Sequence, residues 1–283
     1  MSRIETKWRS SFTIILCVKN EIGRIESFLR NIEKLDALPF LLVVDGASTD
    51  GTWEALQEYA PIETIQANNV GLLGQRLIGI QSASTDLVVL VNVDDMFTET
   101  DLFGAVSELS NNPDIDGLQF SLISEQANFW GVAWGEYFRL TNPPGKSVKL
   151  LGRPCVARKV NFSFENPEVK IFNEDTWIFM QEKDLERKYL VTIRSCIRSC
   201  PSTLSSNLLQ FWRYGVSDSA VARNAKEHLR LLFHSSFRIA FLRGMVFVFK
   251  GRYSSALFCL LLGSVRSLGH IFSSLSKMIS LRA

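Results

Sequence analysis

Four short apolar runs alternate with segments of helical periodicity in the first hundred residues. The runs cover residues 12–18, 40–44, 62–65 and 87–91. Between the first two runs, apolar residues from Ile22 to Ile32 recur at the spacing of one face of a helix. Short strands joined by helices predict right-handed crossovers and a mainly parallel, Rossmann-like α/β sheet flanked by helices.

The run at 87–91 ends directly in polar and acidic residues, Asn92, Asp94 and Asp95. In the strand order 3-2-1-4, the crevice at the carboxyl ends of the first and fourth strands also collects Asn20, and Asp45 lies at the neighbouring strand end. Ligands of open α/β sheets bind at this edge, and carboxylates there favour a divalent cation that carries a phosphate. We therefore expect the functional site at this end of the sheet.

Beyond residue 100 the periodicity is weaker. It predicts a helix over residues 101–109 and a strand over 117–123. Residues 128–138 are rich in aromatic side chains without a clean period. Such a segment either packs in the core, which we favour, or lines a groove for an acceptor.

Three polar residues in the second half of the chain are candidates for chemistry. Glu174 and Asp175 lie on the first turn of a predicted helix, where the helix dipole stabilises acids whatever their role. Arg213 is flanked by aromatic residues, and a guanidinium is suited to phosphate oxygens.

The end of the chain differs in charge from the rest. Residues 226–283 carry nine Lys or Arg and one acid, in a chain whose net charge is only +2. Because apolar blocks alternate with these bases, we expect a helical tail over 226–283, following a domain over 1–225, that binds an anionic membrane surface rather than nucleic acid. The final block, 253–265, would form a helix of ~20 Å, too short to span the ~30 Å hydrocarbon core alone. The prediction is a basic amphipathic helix or hairpin in the interface; a soluble helical subdomain and an oligomer interface are the alternatives.

Cysteine usage and the amino terminus bear on location. The five cysteines are odd in number and scattered, which favours a reducing compartment. No apolar segment follows the charged residues at the amino terminus, so we expect no secretory signal. Together with the tail, these features predict a cytoplasmic protein, peripheral on the cytoplasmic face of the membrane.

Four stretches, in this order and spacing, carry a resemblance to a known family. They are Val-Lys-Asn-Glu at 18–21, Val-Asp-Gly-Ala-Ser-Thr-Asp-Gly-Thr at 44–52, Asn-Val-Gly-Leu-Leu-Gly-Gln-Arg at 69–76 and Asn-Val-Asp-Asp at 92–95. They resemble the family-2 glycosyltransferases, which are inverting enzymes of GT-A fold that use nucleotide-diphosphate sugars. The resemblance covers residues 12 to about 100. Beyond these it has two short matches, Glu174-Asp175 and Gln210-x-x-Arg213-Tyr214.

The resemblance implies roles for particular residues. Asp175, preceded by Glu174, would be the base that takes the acceptor proton, and Asp94 with Asp95 would hold Mg²⁺ or Mn²⁺. The residues implied to contact the donor are Asn20, Asp45, Arg76, Asn92, Asp94, Gln210 and Arg213. The acceptor would be a glycan or a lipid-linked glycan, as in the synthesis of cell-surface polysaccharide.

Two positions depart from the family pattern. Gly46 stands where the family usually has a second Asp, and Asn92 replaces the first Asp of the metal motif. They leave a non-catalytic protein that binds sugar nucleotides or glycans as an alternative. A sugar-1-phosphate nucleotidyltransferase is less favoured, because it needs a glycine-rich basic loop after the first strand, and residues 18–23 do not form one.

Overall fold

The computed structural model describes residues 11–35, 40–59, 62–162, 187–222 and 224–280. These residues divide into two compact units. The first unit contains residues up to 123 together with 142–162 and 187–198, and the second contains 124–141 and the residues from 199 onward. The predicted boundary at residue 225 stays a prediction.

The first unit is built on a sheet whose described strands number nine. They are β1 (Phe12–Val18), β2 (Phe40–Asp45), β3 (Glu63–Gln66), β4 (Leu87–Val91), β5 (Asp95–Met96), β6 (Gly117–Ser124), β7 (Ser147–Val148), β8 (Cys155–Arg158) and β9 (Tyr189–Arg198). Their order is β3-β2-β1-β4-β8-β6-β9-β5, with β7 paired to β9. The first four strands are parallel to one another, whereas β8 is antiparallel to both β4 and β6.

The predicted α/β sheet and its 3-2-1-4 start are therefore confirmed. Every residue of β1 and of β4 is buried, as expected for central strands that are covered on both faces. The described helices of this unit are α1 (Ile22–Glu33), α2 (Thr52–Glu58), α3 (Leu72–Ser82) and α4 (Glu99–Ser110). Helix α4 begins after Thr98, whose hydroxyl accepts a hydrogen bond from the Asp101 amide at 3.1 Å.

The second unit is helical in its described part. Its helices are α5 (Phe129–Thr141), α6 (Leu204–Val221), α7 (Ala225–Phe233), α8 (Gly244–Phe249) and α9 (Tyr253–Ser280), and the segment His234–Arg243 is wound as a π-helix. An aromatic cluster forms the core, where the rings of Trp134 and Phe258 lie 4.8 Å apart and Phe211 is fully buried. Trp134 thus confirms the core interpretation of the aromatic segment, although Phe129 at its start is exposed.

The length expected for the last apolar block is wrong. Helix α9 does not end near Arg266 but runs from Tyr253 to Ser280, a total of 28 residues. The reason is that Arg266 does not face water: its Nε and a terminal nitrogen donate to the Asp218 carboxylate at 2.6 and 2.8 Å. An apolar helix can continue past an arginine that is paired inside the protein, whereas an exposed arginine would mark the polar end of the apolar segment.

Two helical stretches of the described chain are long and apolar enough to cross a membrane. They are Ala225–Phe249 and Tyr253–Ser276, with 25 and 24 residues and mean hydropathies of 1.4 and 1.5. In their most apolar windows, 22% and 39% of the residues are buried inside the protein. Core helices of soluble proteins meet the same criteria of length and composition.

Candidate functional site

The loops that follow β1 and β2 are bonded to each other. Asn20 has a left-handed backbone, with φ of 56°, and its amide donates to the Ser48 hydroxyl at 2.8 Å. In return, the Thr49 amide donates to the Asn20 side-chain oxygen at 2.9 Å. The Glu21 amide donates to Oγ1 of Thr52, the first residue of α2, at 2.9 Å. The side chain of Asn20 therefore holds the two strand ends together at the carboxyl edge of the sheet.

Asp45 ends β2 and is fully buried. One of its carboxylate oxygens accepts a hydrogen bond from the Ser48 amide at 2.9 Å, and the other accepts from the Ser48 hydroxyl. These bonds shape the loop from 46 to 51. Both oxygens of the Asp45 carboxylate therefore accept hydrogen bonds from Ser48.

The space next to Gly46 is filled by a side chain from α3. A β-carbon at Gly46 would lie 2.2 Å from the Nε2 atom of Gln75, and Gln75 is only 2% exposed. The Oε1 atom of this amide is buried and has no hydrogen-bond partner in the described structure. The carboxamide of Gln75 therefore fills the space that a side chain at position 46 would occupy.

Asn92 follows β4 and accepts hydrogen bonds from two arginines. Arg76 is fully buried and donates to the Val91 carbonyl at 3.1 Å and to Asn92 Oδ1 at 2.7 Å. Arg153 donates to the same Asn92 oxygen at 3.1 Å. The amide oxygen is therefore turned toward the guanidinium groups, and Arg76 acts on the site through Asn92.

Asp95 is held within the protein. It is fully buried, and its Oδ1 atom accepts from Arg198 Nε at 2.8 Å and lies 2.7 Å from a terminal nitrogen of that guanidinium. Its Oδ2 atom accepts from the Asn92 amide at 2.8 Å. Burial raises the pKa of the Asp95 carboxyl, and the Arg198 charge opposes that shift.

Asp94, in contrast, is only half-buried. Its negative charge is felt by Glu21: burial raises the pKa of the Glu21 carboxyl, Arg24 opposes this, and Asp94 adds to it. No group of three or more His, Cys, Asp or Glu is placed to hold a metal ion among the described residues. One accessible carboxylate with phosphate oxygens and water is nevertheless a donor set that Mg²⁺ accepts. The site therefore fits a cation that arrives with a phosphate ligand, and Asp94 is the residue that would hold it.

Five predicted site residues thus come together at the carboxyl edge of β1, β2 and β4. They are Asn20, Asp45, Asn92, Asp94 and Asp95, and Arg76 lies directly behind Asn92. Glu174 and Asp175 lie outside the described residues. Gln210 and Arg213 lie on α6 of the second unit, where Gln210 Nε2 donates to the Tyr214 hydroxyl at 2.7 Å and Arg213 is exposed.

Sequence reasoning missed Gln75, Arg153 and Arg198. Arg153 and Arg198 are single arginines outside any motif, one before a proline and one at the end of a strand. One signal was available for Arg198, since a carboxylate directly after a buried strand needs a cationic partner once it is buried. No comparable signal pointed to Arg153, whereas Gln75 lies within the quoted stretch 69–76, directly before Arg76.

Comparisons with known proteins are consistent with this geometry. The sequence model of Glycosyl transferase family 2 matches residues 13–164. No curated protein sequence matches the chain significantly.

Several solved structures share the fold at low sequence identity. The mannosyltransferase PcManGT of Pyrobaculum calidifontis, in complex with GDP-Man and Mn²⁺, is 16% identical, with a TM-score of 0.61 over 92% of this chain and 88% of its own. Staphylococcus aureus TarS 1-349 in complex with UDP-GlcNAc is 14% identical, with a TM-score of 0.53 over 95% and 92%. The glucosyl-3-phosphoglycerate synthase of Mycobacterium tuberculosis, in complex with Mn²⁺, UDP and phosphoglyceric acid, is 16% identical, with a TM-score of 0.52 over 72% and 75%.

Proposed function

Because this chain belongs to glycosyl transferase family 2, we propose that it transfers a sugar, with inversion, from a nucleotide-diphosphate sugar to an acceptor hydroxyl. The observation that carries the proposal is the convergence of Asn92, Asp94 and the guanidinium groups at the carboxyl end of β4. Sugar nucleotides also occupy similar folds, as in the complexes with GDP-Man and UDP-GlcNAc. Cationic side chains and a metal ion held by a carboxylate would both stabilise a diphosphate leaving group.

In this mechanism some residues act on the departing diphosphate and others act on the acceptor hydroxyl. Asp94 would hold Mg²⁺ or Mn²⁺, and the cation, when bound, neutralises charge on the departing diphosphate. Asp95, paired with Arg198, positions the loop rather than competing for the cation. Asp175 would accept the proton of the acceptor hydroxyl as that oxygen attacks the anomeric carbon, with Glu174 beside it.

Donor binding is the first test. Thermal melting with UDP-, GDP- and dTDP-sugars, each with and without Mn²⁺, should reveal one nucleotide that raises the melting temperature, because a ligand that binds only the native state stabilises it. Asp94→Asn should lose the Mn²⁺-dependent part of that shift. Asp114→Asn is the matched control, since Asp114 is an exposed carboxylate of the same unit. Full Mn²⁺ dependence in Asp94→Asn would contradict the assignment.

Turnover is the second test. Asp175→Asn should bind the donor like the unaltered protein and lose at least about 100-fold in transfer rate, since general-base catalysis contributes on that order. Full transfer by this variant would remove Asp175 from the mechanism.

A second candidate function is donor binding without transfer. It is favoured by Asn92, whose oxygen is turned to two arginines and which supplies no negative charge for a metal. Binding of a sugar nucleotide with no transfer or hydrolysis across a wide set of glycan and lipid-linked acceptors would support this candidate.

The second unit bears the surface on which we base a membrane role. The aromatic rings of Phe233, Phe237 and Phe241 stack in a row with centroid distances of 4.9 and 5.5 Å, and each ring is at least 40% exposed. Phe249 is 83% exposed. A row of exposed aromatics among nine basic residues and one acid is typical of a surface that docks on anionic lipid. We propose peripheral attachment to the cytoplasmic face, where a lipid-linked glycan acceptor for cell-surface polysaccharide would be available.

Liposome flotation tests this role. Serine at Phe233, Phe237 and Phe241 should reduce partition onto anionic vesicles about tenfold or more, because each substitution removes apolar area that the ring would bury in the lipid. The matched control places serine at three exposed apolar residues of the first unit, Phe40, Val160 and Ile193. Unchanged flotation accompanied by loss of a dimer would identify the row as an interface between copies instead.

A further inference from the structure

Six apolar residues of the second unit recur at every fourth position. Each of their side chains is at least 37% exposed. They form what we call the apolar row, which consists of Leu229, Phe233, Phe237, Phe241, Met245 and Phe249. The row begins in α7, crosses the π-helical segment and ends with α8, and its members are exposed throughout.

The π-helical segment, His234–Arg243, keeps this row straight. In a continuous α-helix a step of four residues exceeds one turn by about 40°, so five such steps would carry the row about half-way around the axis. The hydrogen bonds of a π-helix run between residues i and i+5, so each turn is wider and a step of four falls short of one turn. The π-helix therefore reverses the rotation that accumulates in α7 and α8.

The inner side of the same segment packs against α9. Ser235 and Ile239 are buried, and a β-carbon at Gly263 of α9 would lie only 2.4 Å from the Ser235 carbonyl oxygen. Further along, Phe247 of α8 is also buried. Because the inner side is fixed by these contacts, the apolar row is held outward.

Basic residues run beside the apolar row with the same step of four. They are Lys226, Arg230 and Arg238, with His234 between the two arginines. Both arginines come directly after a member of the apolar row, so they lie about a quarter of a turn to one side of it. The side chains of Lys226, Arg230 and Arg238 are exposed, and within the described part of the chain none of the three makes a hydrogen bond or an ion pair.

We infer that Arg230 and Arg238 bind the phosphate groups of anionic lipids while the stretch 225–249 lies flat in the membrane interface on its apolar row. The inference rests on the membrane role proposed above and adds to it the lipid-binding arginines and the orientation of the helix. A guanidinium offers paired N–H donors to phosphate oxygens and keeps its charge at every physiological pH. An apolar row with bases along its side is the pattern of helices that lie in the interface of anionic membranes.

The position of Arg238 favours the flat orientation over a spanning one. The stretch 225–249 is long enough to cross a membrane, and Arg238 is exposed near its middle. A spanning orientation would therefore place this charge near the centre of the hydrocarbon core, where an arginine is costly. In the flat orientation Arg230 and Arg238 lie at the same depth, and both reach the lipid phosphates.

Flotation tests the phosphate contacts, with vesicles of phosphatidylglycerol and phosphatidylcholine compared with zwitterionic phosphatidylcholine alone. The double variant Arg230→Gln with Arg238→Gln should bind the anionic vesicles about 30-fold more weakly and the zwitterionic vesicles nearly as before, because its lost charges act on anionic lipid. Its melting temperature should hold, since both side chains are exposed. The matched control, Arg30→Gln with Arg139→Gln, removes two exposed arginines outside the stretch and should float like the unaltered protein. A loss below twofold, or an equal loss on both kinds of vesicle, would overturn the inference.

Spin labels test the orientation. The five native cysteines are buried, so cysteines introduced one at a time at Leu229, Phe237 and Phe249 can be labelled selectively with a nitroxide. On anionic vesicles the three labels should report one depth, about 5–10 Å into the boundary between headgroups and acyl chains. In a spanning helix the label at 237 would be the deepest, and those at 229 and 249, about 30 Å apart along the axis, would lie near opposite surfaces. That profile would overturn the inference even though the protein binds membranes.

Two further outcomes separate this inference from the proposals on which it rests. If the unaltered protein does not float on anionic vesicles, the proposed membrane role fails together with the inference, and the roles proposed for the donor site are unaffected. If the labels are immobilised without vesicles and sedimentation shows a dimer, the apolar row is an interface between two copies of the chain. That result would also overturn the inference.

Discussion

Asp94 of the first unit and the Asp218–Arg266 pair of the second unit use charge in opposite ways. In the first unit, Asp94 is half-buried just after the carboxyl end of the central strand β4. In the second, Asp218 and Arg266 pair inside a helical core, with only 5% and 18% of their side chains exposed. A charged residue in an apolar stretch therefore marks an interior contact when its oppositely charged partner lies within the fold, and a ligand site when it does not. That partner is distant in sequence, and it decides between the two cases.

The largest expected effect comes from breaking the pair in the second unit. Asp218→Ala leaves Arg266 with a buried charge and no carboxylate, which should lower the free energy of unfolding by about 3–5 kcal/mol. Urea denaturation monitored by circular dichroism would measure it. Glu26→Ala, which removes an exposed partner of Arg30, should change stability by at most about 0.5 kcal/mol. Equal effects of the two variants would contradict the contrast between a buried and an exposed ion pair.

The start of the first unit was predictable because its strands are central. Residues of β1 and β4 are buried on both faces, so each strand appears in the sequence as an unbroken apolar run whose end is unambiguous. The parallel order then follows from the helices between them. The acidic edge could be predicted for the same reason, since Asn92 and Asp94 come directly after such a run.

The features that could not be predicted depend on specific contacts of individual residues, several of them with residues far away in the sequence. Helix α5 was missed because glycines at 131 and 135 interrupt its apolar face, and Gly131 is needed where a β-carbon would lie 2.1 Å from the Gln126 carbonyl. The end of the tail was misjudged because Arg266 finds its partner 48 residues away. Arg153 reaches Asn92 across 61 residues, just before the strand β8 that pairs with β4.

A smaller effect should sharpen the account of the first unit. Gly46→Ala places a β-carbon 2.2 Å from Gln75 Nε2, so the buried amide must move, at a cost of about 2 kcal/mol. In the Gln75→Ala background the same change should cost much less, because the space is then empty. Thermal or urea unfolding of the two single variants and the double variant measures this coupling. Additive effects would mean that Gln75 does not fill the place of a side chain at Gly46.

The smallest expected effect is a pH dependence of the second unit. Burial lowers the pKa of His234 to about 4, and the charges of Arg266, Arg243 and Arg238 add to this shift while Asp218 opposes it. Because the unfolded chain binds a proton on this imidazole near pH 6.5 and the folded protein does not, the free energy of unfolding should fall as pH decreases through that range, by about 1 kcal/mol between pH 7 and pH 5.5. His234→Gln has no such proton to bind, so its loss of stability over this range should be smaller by that amount, as measured by urea unfolding at both pH values. Identical pH profiles for the two proteins would show that neither burial nor the nearby arginines lower the pKa of His234 in the folded protein.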